Sequence, residues 1–205
     1  MKGYQRLSTP KNMSQLLTEN QYTIRNKFFD FWSQTFSFHD AEGTPIGYAR
    51  KKAFKLKEDL VIYADLGKQI PLIKIKARSI IDFGATYDIA DAQTGENLGS
   101  IQRKGMRSIL KDTYILNDSE GRQYGTFVED SIAILRRIIP FIPARYHIEV
   151  AGQPHITIKQ GLNPILKSST VMIPDEHEID RRVVAAMVLL SSGIEGRQST
   201  LNILG

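Results

Sequence analysis

Eight consecutive apolar residues near the carboxyl end, Val183-Val-Ala-Ala-Met-Val-Leu-Leu190, constrain this chain more than any other feature. A helix built on them shows no polar face over two turns, so it must be covered on every side. Spanning a bilayer takes roughly 20 apolar residues, so protein must do the covering. The preceding Pro174-Asp175-Glu176-His177-Glu178-Ile179-Asp180-Arg181-Arg182 reads as the opening of that helix. Its acids sit where the positive end of the helix dipole favours them, and Gly193 is a natural stop. The expected helix, about residues 175–192, is a rod of about 27 Å.

The rest of the chain reads as β-structure. Short runs of Val, Ile, Phe, Tyr and Thr alternate with turn residues, as half-buried antiparallel strands do. In Leu72-Ile73-Lys74-Ile75-Lys76-Ala77-Arg78, alternation sends Ile73, Ile75 and Ala77 to one face and Lys74, Lys76 and Arg78 to the other. One pattern recurs: aromatic-x-apolar-x-Asp, a short turn with Gly, then a second strand bearing Gly near its start. Its copies begin at Phe36, Tyr87 and Tyr114, and a fainter one without the Asp begins at Tyr146. In each hairpin Asp caps the turn and Gly supplies the positive φ. The starting aromatics lie 51, 27 and 32 residues apart, which excludes a solenoid of fixed period. Consecutive hairpins and one apolar rod fit together most economically as a sheet wrapped around a central helix. The chain is therefore expected to be one mainly β domain over residues 21–193, with a lead-in over 1–20 that is either loose or a short helix around Met13–Leu17, and a tail over 194–205.

The 205 residues suffice for a substantial core, and 41% hydrophobic with 24% charged content is that of a globular chain. The absence of cysteine excludes disulfides, thiolate metal sites and a cysteine nucleophile. No apolar leader follows Met1, so a cytoplasmic protein, peripheral to any membrane it meets, is expected. Residues 1–80 hold 14 Lys and Arg against 7 Asp and Glu, whereas residues 81–205 hold 13 against 15. The basic first part favours an anionic partner.

The candidate anion site is Arg50, Lys51 and Lys52 with Lys55 and Lys57 close behind, joined by Lys74, Lys76 and Arg78 if their strand lies alongside. Such clusters attract anionic headgroups, although lysines on an outward strand face also guard against edge pairing. Nucleic acid would call for aromatics interleaved with the cations, and Tyr48 and Phe54 meet that weakly. Ser131–Pro143 reads either as an amphipathic element packed on the core or as an apolar loop meeting a bilayer. Asp175, Glu176, His177, Glu178 and Asp180 offer oxygens of the kind calcium takes, without EF-hand spacing. No nucleophile elbow, zincin, P-loop or dinucleotide motif occurs, and no cofactor is implied. His147 and His155 lie at the two ends of one expected hairpin and can meet across it as a surface pair. The other two histidines, His39 and His177, sit in no motif.

Tyr22-Thr-Ile24-Arg-Asn-Lys27-Phe28-Phe29, the Asp-x-x-Gly hairpins, Lys51-Lys52-Ala53-Phe54-Lys55-Leu56 and the terminal helix together resemble the tubby C-terminal-like superfamily, especially its LURP-one-related and phospholipid-scramblase-like branches. The resemblance spans roughly residues 20–193. It implies a closed antiparallel barrel of about twelve strands around a buried C-terminal helix. It further implies a non-enzymatic binding module, with phosphoinositide headgroups bound by surface cations in tubby proteins and calcium-dependent lipid movement in scramblase-like ones. A regulatory or protein-interaction scaffold is the alternative, and an enzyme with an unrecognised site the third reading.

Overall fold

Hairpins follow one another along the chain until the last strand meets the first. The computed structural model describes residues 14–30, 33–52, 59–78, 85–104, 113–130, 143–163 and 166–201. The strands are β1 (Gln21–Asp30), β2 (Ser33–His39), β3 (Pro45–Lys52), β4 (Leu60–Tyr63), β5 (Pro71–Ala77) and β6 (Thr86–Asp91). They continue as β7 (Asn97–Arg103), β8 (Thr113–Asn117), β9 (Gln123–Glu129), β10 (Arg145–Val150), β11 (Ile156–Gln160) and β12 (Leu166–Met172), and α1 (Arg181–Leu201) comes last. Every strand pairs antiparallel with its neighbours in sequence, and β1 also pairs with β12, from Gln21 opposite Met172 to Lys27 opposite Leu166. The closed ring leaves no edge to be guarded.

Alternation decides which side chains face inward. Ile24, Phe36, Phe38, Ile62, Ile73, Ile75, Ile89, Ile101, Leu116, Ile148 and Ile158 are all buried, from strands right round the ring. Tyr114, Phe127 and Tyr146 add an aromatic tier across β8–β10, with ring centroids 5.7 and 5.0 Å apart.

Turn chemistry fixes the hairpins. Asp40, Asp91 and Asp118 each accept backbone amides through Oδ1, from Thr44 at 2.7 Å, from Gln93 and Thr94 at 2.8 Å, and from Glu120 and Arg122 at 2.9 Å. Gly43, Gly95 and Gly121 supply φ of +87°, +76° and +83°. The fourth copy turns at Gly152 (φ +75°) without an Asp. One hairpin escapes the sequence pattern, and it explains the interval of 51. Between β4 and β5, Asp65 Oδ1 accepts from Gln69 at 3.0 Å and from Ile70 at 2.8 Å, while Lys68, not a glycine, takes φ +57°.

With that hairpin restored, a hidden period appears. The second strand of each of these four pairs carries one unpaired residue, Ile46, Leu72, Leu98 and Tyr124 in turn. These β-bulges are spaced 26 residues apart, so although the chain is no solenoid, as expected, each two-stranded unit of β2–β9 repeats at constant length. Gly99 follows one bulge at φ +112°, and a Cβ there would lie 2.0 Å from the Asn117 carbonyl oxygen. Gly99→Ala is expected to cost about 3 kcal/mol, from backbone strain and collision with backbone. Gly43→Ala, with open space around its Cβ, is expected to cost only about 1 kcal/mol. Urea midpoints of the two variants measure the difference.

Helix α1 packs against β1 and also against β5 and β6, nearly across the ring, so it runs through the lumen. Val183 to Leu190 are each 4% exposed or less. The expected central helix is therefore present, but with different bounds. It begins at Arg181 and not at 175, and it continues past Gly193 to Leu201. Asp180 caps it, with Oδ1 accepting the Arg182 amide at 2.8 Å. Residues 174–179 are held out of the helix by other partners. The Ile179 amide donates to His177 Nδ1 at 3.1 Å, and Asn20 Nδ2 donates to Asp175 Oδ1. The acids of this segment thus precede the helix, leaving Asp180 alone at its dipole end. Gly193 does not terminate it, since it lacks the positive φ of a helix cap and lies inside the helix. Of the two forms expected for the lead-in, the short helix is the one present. Gln15–Leu17 form a 3₁₀ turn that buries Leu16 at 1% exposure against Gly47.

Candidate functional site

A filled lumen moves recognition to the outer surface. The strand register places the candidate cations there. Ala49 lies opposite Ile62, and Ile62 opposite Ile73, forming an inward row. One residue further on, Val61 lies opposite Lys74, and the same register sets Arg50 on the other side of Val61. Arg50 and Lys74 therefore share an outward row two strands apart, about 10 Å. Lys76 and Arg78 extend it along β5 and beyond, and all four are exposed. Lys51 and Lys52 belong to β3, with side chains outside those described. Lys55 and Lys57 lie outside the described residues, as do residues 131–142 of the apolar Ser131–Pro143 segment.

Carboxylates already attend part of this face. Lys74 Nζ lies 2.7 Å from Asp59 Oδ2, and Arg78 reaches Asp88 at 2.6 Å, with side chains 49% and 63% exposed. Exposed ion pairs of this kind are weakly held, so a stronger anion can replace the carboxylate. The β4–β5 turn adds an apolar element that sequence reading did not single out. Leu66 and Ile70 stand 69% and 45% exposed on either side of Gly67, Lys68 and Gln69. Asp65 keeps that turn in shape. The Ile70 amide above all, aided by the Gln69 amide and opposed by burial, holds its carboxyl below the usual carboxylate range.

Across the barrel, β9–β11 carry a second cluster. His147 and Glu149 project outward from β10, and the tight turn at Gly152 returns His155 beside them. The two imidazoles lie parallel, centroids 5.1 Å apart, so the surface pair expected across this hairpin is present. His147 Nδ1 lies 2.7 Å from Asp130 Oδ1, and Nε2 lies 2.8 Å from Glu149 Oε1. Thr126 donates to the other Glu149 oxygen at 3.3 Å. The hydrogen bond from His147, with burial opposing it, lowers the Glu149 pKa. An open groove of about 670 Å³ adjoins the cluster, lined by Tyr124, Thr126, Glu149, Gln153 and His155 among others. Asp130 and Glu149 were not foreseen. The legible signal for Glu149 was its i, i+2 spacing from His147 on one strand, whereas Asp130 depends on the pairing of β9 with β10.

Comparison with family models, with curated proteins and with solved structures returns no match. Among the described residues no helix is long and apolar enough to cross a membrane.

Proposed function

We propose that the protein is a non-enzymatic binding module of the tubby, LURP-one-related or scramblase-like kind, docking on anionic phospholipid headgroups through the outer face of β3–β5. The observation that carries this reading is the outward row of Arg50, Lys74 and Lys76 on strands joined by a turn that exposes Leu66 and Ile70. Cations near an anionic surface contribute about 1 kcal/mol each. Apolar side chains on a turn tip gain further by entering the headgroup boundary, as peripheral anchors do. A second reading, a protein-interaction scaffold, rests on the carboxylates already paired with Lys74 and Arg78.

Cosedimentation with phosphatidylcholine vesicles, with and without phosphatidylserine or a phosphoinositide, separates the two readings. The headgroup reading expects sedimentation with anionic vesicles only. Replacing Arg50, Lys74 and Lys76 together by Ala is expected to weaken partitioning about 100-fold, at roughly 1 kcal/mol per cation. Leu66→Ser with Ile70→Ser is expected to weaken it further. Absence of sedimentation at physiological salt, or an unaffected triple variant, overturns the headgroup reading and leaves the scaffold.

A further inference from the structure

We propose that His147, Glu149 and His155 form a binding site for one divalent transition-metal ion, with Asp130 as its positioning residue. Among the described residues this is the cluster whose histidine and carboxylate atoms lie close enough to share an ion, with one atom from each residue within 4.8 Å of the others.

The arrangement is built in two layers. Asp130 engages Nδ1 of His147, which leaves Nε2 turned toward Glu149. A carboxylate behind a ligating imidazole is the usual support of a metal-bound histidine, fixing its tautomer and ring orientation. Thr126 does the same for Glu149, holding Oε2 so that Oε1 faces the imidazole. An ionised carboxylate only accepts hydrogen bonds, so Nε2 of His147 and Oε1 of Glu149 can meet only through something between them, a proton or a metal ion. A metal ion takes the place of the Nε2 proton and draws Glu149 Oε1 onto itself. His155 is exposed in the turn immediately before β11. Its ring stacks on that of His147 and needs only a swing of the side chain to turn a nitrogen toward the same point.

Two imidazole nitrogens and one carboxylate oxygen define the class of ion. Zinc, nickel and copper(II) accept this donor set. Calcium and magnesium prefer all-oxygen shells with more ligands. Three protein ligands leave further positions open, and the adjoining groove gives water or a small anionic ligand access to them. The site stands on β10 and β11, about half a turn of the ring from β3–β5, so it depends in no way on the headgroup reading.

The test uses the full chain, free of any affinity tag and stripped with chelator, titrated calorimetrically with Zn²⁺ and followed spectroscopically with Co²⁺. One ion per chain is expected, with the visible d–d bands of nitrogen-and-oxygen-bound Co²⁺ and a higher melting temperature. His155→Ala, which removes an exposed side chain, is expected to reduce affinity at least about tenfold. Asp130→Asn is expected to reduce it about 10- to 100-fold while every ligand remains. His39→Ala, whose ring bonds Ser37 and Gly43 elsewhere on the surface, is expected to bind as the parent does. Absence of binding by Zn²⁺, Ni²⁺ and Cu²⁺, or binding that survives the combined His147→Ala and His155→Ala change, overturns the proposal.

Discussion

Val184→Asp is expected to abolish cooperative folding. Aspartate is no larger than valine, so the change introduces charge without overpacking the lumen. Val184 is fully buried inside the ring, among Val183, Ala185, Met187 and Val188 of its own helix. A carboxylate there leaves water for an apolar lumen, and even with Arg181 one turn earlier on the same helix its desolvation costs several kcal/mol, about 5. That rivals the roughly 5–15 kcal/mol that holds a typical domain together. Val184→Ala, which only leaves a small cavity, is expected to cost about 2 kcal/mol and to retain a sharp transition. Urea unfolding followed by circular dichroism, with dye binding to report exposed apolar surface, distinguishes the two. If Val184→Asp unfolds within 1 kcal/mol of Val184→Ala, the helix is not enclosed by the strands.

The second large effect centres on Arg182, which ties the start of α1 to the β6–β7 hairpin. Its guanidinium reaches Asp180 Oδ2 at 2.6 Å, Asp91 Oδ2 at 2.7 Å and Glu96 Oε2 at 3.1 Å, with its side chain only 21% exposed. Burial alone raises the pKa of Asp91. Hydrogen bonds from the Thr94 and Gln93 amides and from Arg182 outweigh it and bring the carboxyl down to about 2. Arg182→Ala strands Asp91 and Asp180 beside each other and is expected to cost about 3–5 kcal/mol. Arg182→Lys restores the charge but not the fork of donors, and is expected to recover only part of the loss. The pH dependence has a definite sign. A carboxyl depressed in the folded state stabilises fully above its unfolded pKa near 3.8, and the gain disappears as pH falls toward 2. The parent protein is therefore expected to lose about 2 kcal/mol from this group between pH 4 and pH 2. The Arg182→Ala variant is expected to lose less, because only the Thr94 and Gln93 amides and the Thr94 side chain remain to favour the ionised carboxyl. Equal acid limbs in the two proteins would contradict the role given to Arg182.

These residues also mark how far the sequence was legible. Hairpins at Asp40, Asp91 and Asp118 are visible in it because their chemistry is local, an aspartate bonding amides two to four residues ahead. The alternation of Ile73, Lys74, Ile75 and Lys76 is likewise local. The Asp65 hairpin was hidden because its positive φ falls on Lys68 and its first strand lacks the aromatic pattern. The helix start was misplaced for a different reason. Acids at 175–178 suit a first helical turn by charge, yet Asn20, 155 positions away in sequence, engages Asp175, and His177 takes the Ile179 amide. Long-range pairing also settles the surfaces. That Lys74 meets Asp59 and Arg78 meets Asp88 follows only once β4 and β6 flank β5. The meeting of His147 with His155 needed a single hairpin and was legible, whereas Asp130 needed a neighbouring strand and was not.

Closure of β1 on β12, with α1 following both, bears on how such a chain matures during translation. Strands leaving the ribosome early have neither their seam partner nor the plug that fills the lumen until the final segment has emerged. Contacts between the most distant parts of the sequence must then form late, which slows folding and leaves a half-made sheet open to self-association. A chain stopped just before Arg181 is accordingly expected to be a substrate for chaperones and proteases and not a smaller stable protein.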